Sequence, residues 1–379
     1  MRLTDFQRII IMNTLSGIGM SLVGIFIPIY LLQTGFPLTS VIIWLLIHHS
    51  SLLFGAFLSV YVSNMIGLVR CWYIRVILLL ALFIGLYILP DHHSLLFILG
   101  IISGLESAFF WIPYNILTVR KTSHETMGSS LAKLSNISSL VGLFIPFIAA
   151  LIIMNIGYPA LFVIAFIFIL ISLIPVIALT SEKTNFNFNR ISVMAIIKDN
   201  KHFILPEIFD NLGQDAGIIW SLFIFVTGLT ILDLGLLGVI SGVVGIVVTH
   251  FTGYLIDKWD KHKVIRFGAI FTTLSWLASY LIAIYYPTPS MLYLITALRG
   301  FAIGVFAMSY GAVMMNRARN HDSQFLVLRE VPTILGRLII FSLAILFIYI
   351  DKFELVFLLV ALLSTYFWFN NIKRLTKST

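Results

Sequence analysis

The chain has 379 residues, 60% of them apolar and 11% charged, with a mean hydropathy of +1.04. A soluble globule carries about 25% charged residues, so a surface this poor in charge excludes a cytosolic enzyme, a nucleic-acid-binding domain and a secreted protein. The net charge of +8 is explained by where the cations stand, and the one cysteine, Cys71, excludes an internal disulfide or a thiolate metal cluster.

About 20 apolar residues cross a bilayer as a helix. Six runs of that kind, 9–32, 38–62, 72–89, 95–118, 131–155 and 159–179, precede a polar stretch at 180–202, and six follow it, 203–227, 231–256, 263–285, 290–314, 325–349 and 353–371. The runs are too long and too evenly apolar for barrel strands. The expected fold is therefore an all-α integral membrane protein with 12 transmembrane helices in two six-helix bundles. The bundles are 1–179 and 203–379, joined by a cytoplasmic linker at 180–202.

The first run holds Asn13, lacks a small-residue cleavage site and reads as a retained helix rather than a signal peptide. Asn13, Ser16, Gly17, Met20, Ser21 and Gly24 share one face, a spacing that marks close helix packing. His48 and His49 fall inside the second run and read as packing histidines, with a proton relay as the alternative. Glu106 stands alone in the fourth run, near Trp111, Pro113 and Tyr114. The linker is either a plain tether or carries a short surface helix at 191–197.

The seventh run is the most informative segment. Glu207, Asp210, Asn211, Gln214 and Asp215 recur at i, i+3, i+4, i+7 and i+8, so they share one helix face, and that face must avoid lipid. An ionised side chain at mid-membrane costs about 2.5–3.5 kcal/mol on insertion scales. The cations expected to answer the stripe are Arg299 in the tenth run and Arg329 and Arg337 in the eleventh, although Arg329 also adjoins Glu330 and is expected to lock to it. Five acids inside spans face three arginines, which leaves a carboxyl free to bind and release a proton.

With the N-terminus inside, 20 of the 24 Lys and Arg, Arg75 and Lys133 among them, fall on inner segments or adjoining helix ends. This accounts for the basic excess without nucleic acid, and it suits anionic lipids on the inner leaflet.

The turn after the eighth run reads Gly253-Tyr254-Leu255-Ile256-Asp257-Lys258-Trp259-Asp260-Lys261-His262-Lys263. It resembles the loop signature of the major facilitator superfamily, G-x-L-x-D-R/K-x-G-R/K-R/K. A worn copy follows the second run, with Asn64 in the place of the acid and Gly67 and Arg70 retained. Gly142, Pro146, Ala149 and Ala150 in the fifth run are similar to that family's antiporter motif, with Ile145 in place of a glycine. Residues Gly104, Phe110, Tyr114 and Lys121 echo Gly300, Phe306, Tyr310 and Arg317, a sign of duplicated halves.

The resemblance implies two bundles rocking about a cavity between spans 1, 4, 7 and 10, flanked by spans 2, 5, 8 and 11. In this reading Asp215 and Glu106 are proton or substrate carboxylates, with Asp210, Asn211 and Gln214 on the same pathway. Arg299 and Arg337 are their counter-charges or anion ligands. Asp257, Lys258, Lys261 and Lys263 after Gly253 form an inner gate, with a weaker one at Asn64, Gly67 and Arg70. The expected activity is proton-coupled secondary transport of a small solute, tilted towards export of amphipathic compounds, with uptake of a small organic anion or nutrient as the alternative. No cofactor or resident metal is expected, and a monomer in a plasma membrane (a bacterial inner membrane), with both termini cytoplasmic, is. No enzyme motif occurs: Asp210 and Asp215, five apart, point about 140° from each other on a helix and would not bridge one ion. A polytopic membrane enzyme or receptor is the distant alternative.

Overall fold

A computed structural model describes residues 3–121, 142–184, 186, 190–258, 261–285 and 287–369. Among them the regular structure is helical, with no strand. The helices are α1 (Asp5–Val23), α2 (Phe26–Gln33), α3 (Leu38–Ile66), α4 (Leu68–Ile88), α5 (Leu96–Lys121), α6 (Ile145–Asn155), α7 (Tyr158–Ser172), α8 (Arg190–Val226), α9 (Ile231–Lys258), α10 (Lys261–Tyr285), α11 (Pro289–Tyr349) and α12 (Leu355–Ser364). Nine helical stretches among the described residues are long and apolar enough to cross a membrane, and Ile145–Asn155 and Leu355–Trp368 are shorter apolar helices. Phe54, Ile77, Ile84 and Leu294 stand exposed on the outside, as lipid-facing side chains do.

Local chemistry sets the helix ends. Thr4 caps α1 by accepting from the Gln7 backbone N–H while the Gln7 side chain accepts from the Thr4 N–H, a reciprocal pair that satisfies two end donors. Between α3 and α4 the backbone turns at Gly67 with φ +94°, and a Cβ there would stand 2.2 Å from Ser181 Oγ, so both conformation and space require glycine.

Two boundaries differ from the sequence expectation. The linker is not a plain tether throughout: α8 runs unbroken from Arg190, so the expected surface helix and the seventh span form one element. The tenth and eleventh spans both belong to α11, which is helical over 61 residues. Yet Tyr310 and Arg329 both reach Glu207. Nineteen residues of straight helix would separate them by about 28 Å, so the chain turns back between them. The limbs 289–311 and 324–349 pack as separate spans.

In the first part of the chain α3 packs on α5, α5 on α4, and α1 on α7. In the second part α11 packs on α8, α9 and α10, and α12 on α10. Two main packings join the parts, α3 with α11 and α6 with α9. At the second, Gly235 and Gly238 lie directly against Pro146 and Ala150, where small residues let backbones approach without a polar group in hydrocarbon.

Candidate functional site

The stripe on α8 divides into two rows. Glu207, Asn211 and Asp215, spaced four apart, are buried and face the second limb of α11. Asp210 and Gln214 look the other way into a pocket of about 40 Å³ bordered by Trp276 and Phe306, and the Gln214 amide donates to Asp210 Oδ2 at 2.8 Å.

The buried row meets its match at the same spacing on α11. Glu207, 0% exposed, accepts from Arg329 Nε at 2.7 Å, Thr333 Oγ1 at 3.0 Å and Tyr310 OH at 3.2 Å. Arg337 Nη2 donates to Asn211 Oδ1 at 3.2 Å, and its Nε lies 3.6 Å from Asp215 Oδ2. Residues 207, 211 and 215 thus run alongside 329, 333 and 337, two helices in register with every step one turn long. Arg329 answers Glu207, so the expected Arg329–Glu330 lock is corrected. Neighbours in sequence point about 100° apart on a helix, while Glu207 lies straight across.

The upper end of this ladder is completed from the first part of the chain. His49 Nε2 of α3 lies 3.0 Å from Asp215 Oδ2. The imidazole is off the hydrogen-bond line, and the ring stacks on Phe341 of α11 with centroids 5.3 Å apart. The adjoining His48 turns inward, its Nδ1 2.9 Å from Ser103 Oγ of α5. His49 is therefore the site residue that the sequence reading set aside. A histidine in an apolar run has no partner visible in sequence, and only the packing of α3 against α11 supplies one.

Glu106 is not alone. Arg75 Nε donates to its Oε2 at 3.1 Å, Arg75 Nη1 donates to Ser16 Oγ at 2.7 Å, and Ser107 donates to Oε1 at 2.9 Å. Both ionic partners are buried, and the guanidinium lies over the Phe110 ring at 4.0 Å. The sequence places Arg75 on an inner segment or an adjoining helix end. It lies two turns inside α4, where it joins α1, α4 and α5.

Arg299 departs from expectation in the opposite direction. Among the described residues no carboxylate lies within ion-pair distance of it, so it does not answer the α8 stripe, and its side chain lies over Trp276 instead. A cavity of about 690 Å³ opens between α1, α5, α9 and the first limb of α11, lined among others by Asn13, Ser21, Trp111, Ser241, Thr249 and Gly300. Its wall is mainly glycine, with hydroxyl and amide groups, one indole, and the aliphatic Leu143, Ile246, Ile303 and Ala307.

The expected gate residues fare differently. Asn64 accepts from the Phe186 N–H at 3.3 Å and from Thr184 Oγ1, and the N–H of Leu68, next to Gly67, donates to Glu182 O at 2.8 Å. These contacts strap the start of the linker to α3 and α4. Arg120 and Lys121 of α5 hold the same strap through Lys183 O and the Glu182 carboxylate. Arg70 and Lys263 are exposed. Gly253, Asp257 and Lys258 end α9 and Lys261 begins α10, but what their side chains meet lies outside the described residues, as does Lys133.

No known family profile matches the chain. An uncharacterized protein, YqgE of Bacillus subtilis (strain 168), is 24% identical over 268 residues, a match covering 65% of this chain and about 60% of the length of that relative. Among solved structures, a bacterial homologue of the iron transporter ferroportin in its outward-facing state superposes with a TM-score of 0.71 at 16% identity, over 97% of this chain and 98% of that one. Its inward-facing state gives 0.64 at 17% identity over 96% and 98%. A bacterial metal transporter gives 0.64 at 17% over 98% and 100%. The chain shares the fold of these membrane proteins.

Proposed function

We propose that this protein is a secondary transporter that moves a small solute across a membrane by alternating access. Two six-helix bundles, 1–179 and 203–379, rock about the cavity between α1, α5, α9 and α11, and Asp215 takes part in proton coupling. One observation carries the reading: a buried carboxylate from one bundle, Asp215, is held at once by an arginine of its own bundle and a histidine of the other. Buried charge is costly in a bilayer, and a group shared across a moving boundary has a use that a static brace lacks. The shared fold supports this reading, because bacterial ferroportin homologues of this fold are known in outward-facing and inward-facing states.

The first solute class to test is a divalent metal ion, since the fold neighbours are a homologue of an iron transporter and a metal transporter. Asn13, Ser21, Ser241 and Thr249 supply neutral oxygens of the kind a hard cation accepts alongside water. One observation favours a second reading, an amphipathic organic solute: no three His, Cys, Asp or Glu side chains converge among the described residues, and the cavity wall pairs an indole with hydroxyls.

The test is transport in proteoliposomes under an imposed pH gradient. Entry of Fe²⁺ or Mn²⁺ is read by quenching of an enclosed chelating dye, and movement of a fluorescent amphipathic cation is read in parallel. Flux of either that Asp215→Asn abolishes supports the reading. A folded, inserted protein that moves neither rejects it.

A further inference from the structure

We propose that a slot between α8 and the second limb of α11 is a lipid site, taking an acyl chain of an anionic phospholipid whose phosphate meets Lys201. A cavity of about 150 Å³ lies there. On α8 it runs from Ile196 to Glu207, a length of helix of about 16 Å. Residues of α11 between Phe325 and Leu335 stand across from it. A volume of this size strung along three turns has the shape of a chain rather than of a compact solute.

A proline interrupts each helix at the slot. Pro332 has no N–H to give to the Leu328 carbonyl, so α11 lacks one helical bond beside the cavity that both residues line. Pro206 does the same to α8, next to Glu207. Every lining side chain except Asn200, Glu207 and Arg329 is apolar, and those three are already bonded. The Asn200 amide donates to Ile196 O at 2.8 Å, and Arg329 Nε donates to Glu207 Oε1 at 2.7 Å. Phe203 and Phe325, both buried, meet edge to face with centroids 6.4 Å apart. An ordered water needs two to four polar partners, and this wall suits hydrocarbon better.

The mouth says which hydrocarbon. Ile197 and Ile204 on one lip and Leu335 on the other are 41%, 37% and 40% exposed. With Met194 and Leu205, also exposed, the two isoleucines make one apolar face of α8. Such a face is stable against acyl chains and not against water. Lys201 stands in the middle of it, four residues after Ile197 and three before Ile204, and is exposed. Lys198 is exposed on its flank. A lysine lays its stem along apolar surface and keeps its ammonium at the level of the headgroups, where a cation attracts anionic lipid. A chain that enters between the lips therefore leaves its phosphate beside Lys201. At the deep end the chain meets the Glu207–Arg329 pair, the foot of the ladder.

The experiment is native mass spectrometry of the full chain released from detergent micelles, with dioleoyl phosphatidylglycerol or dioleoyl phosphatidylcholine titrated in. One phosphatidylglycerol per chain is expected to bind in a saturable way, and phosphatidylcholine at least tenfold more weakly. Lys201→Gln, an exposed change, should bring phosphatidylglycerol to the level of phosphatidylcholine. Leu335→Trp, which fills the mouth from the lipid-facing lip, should weaken both lipids at least tenfold. If Leu335→Trp does not fold, Ile197→Trp on the opposite lip carries the same expectation. No saturable phosphatidylglycerol in the wild type, equal retention of the two lipids, or binding unchanged in Lys201→Gln or in the folded tryptophan variant would overturn the proposal. Binding is read without solute or gradient, so failure here leaves the transport reading untouched, and failure of transport leaves this site untouched.

Discussion

Arg75 and Glu106 offer the cleanest test of whether a buried pair in this protein braces a bundle or couples transport. Glu106→Gln is isosteric, so it opens no cavity and removes only the charge. Arg75 then stays buried with Ser16 Oγ, the Phe110 face and a neutral amide oxygen as partners. Breaking a buried pair by removing one member costs about 3–5 kcal/mol. The partners Arg75 keeps place this case at the low end, about 3 kcal/mol. Arg75→Gln, which strands the acid with Ser107 as its donor, should cost about as much. If the effects were independent, the double variant would lose about 6 kcal/mol. Because each single change strands the other's partner, and two amides can bond to each other, the double should lose only about 3–4, a coupling of about 2–3 kcal/mol. Reversible unfolding in mixed SDS and dodecyl maltoside micelles, followed by tryptophan fluorescence, measures all four corners of the cycle. Additive losses, or wild-type stability in Glu106→Gln, would refute the pairing. In the brace reading the double variant, once folded, keeps its transport; loss of flux at full folding would return Glu106 to the pathway.

Other outcomes follow from the same packing. Asp215→Asn and His49→Gln should leave the protein folded and inserted but reduce proton-driven flux at least tenfold; near wild-type flux in both would remove that cluster from the mechanism. Gly104→Ala places a methyl 2.1 Å from His48 O and 2.7 Å from Ser51 Cβ, an overpacking between α3 and α5 expected to cost about 1–3 kcal/mol of unfolding free energy. Ala150 Cβ lies 2.9 Å from a Cβ built on Gly235, close enough for a bridge between α6 and α9 after a small shift. With Cys71 replaced, an Ala150→Cys/Gly235→Cys pair should cross-link under mild oxidant, arrest flux, and regain it on reduction. Unimpeded flux in the cross-linked form would mean that these helices do not move apart.

The spans were legible because hydrocarbon demands long apolar helices, and few other sequences satisfy it. The α8 stripe was legible for the converse reason: Glu207, Asn211 and Asp215 sit at helical spacing where apolar residues would be cheaper. What the stripe would meet was not legible, since it depends on how each neighbouring helix is rotated about its axis. Of the two partners open to Arg329, the stripe and Glu330, only packing decides for Glu207, and Arg299 is expected at a stripe it does not pair with. Arg75 was misplaced because it follows Arg70 closely, and an inner-surface count does not distinguish a cation at a helix end from one two turns inside. His49 left no charge signal at all.

The position of His49 bears on how a rocking motion is possible. The ladder from Glu207 to Asp215 and from Arg329 to Arg337 lies wholly within the second part of the chain, so it can move as a rigid unit with its ionic contacts intact. The ladder meets the first part where His49 approaches Asp215. Opening the ladder would break three or four hydrogen bonds, those to charged groups each worth about 1.5–3 kcal/mol, whereas parting His49 from Asp215 breaks none. The other joint, α6 on α9, is glycine against alanine and proline, with no ionic contact among the described residues. A mechanism that parts α3 from α8 and α11 thus has one electrostatic step, and Asp215, kept in place by Arg337, faces the opening with its charge still half matched.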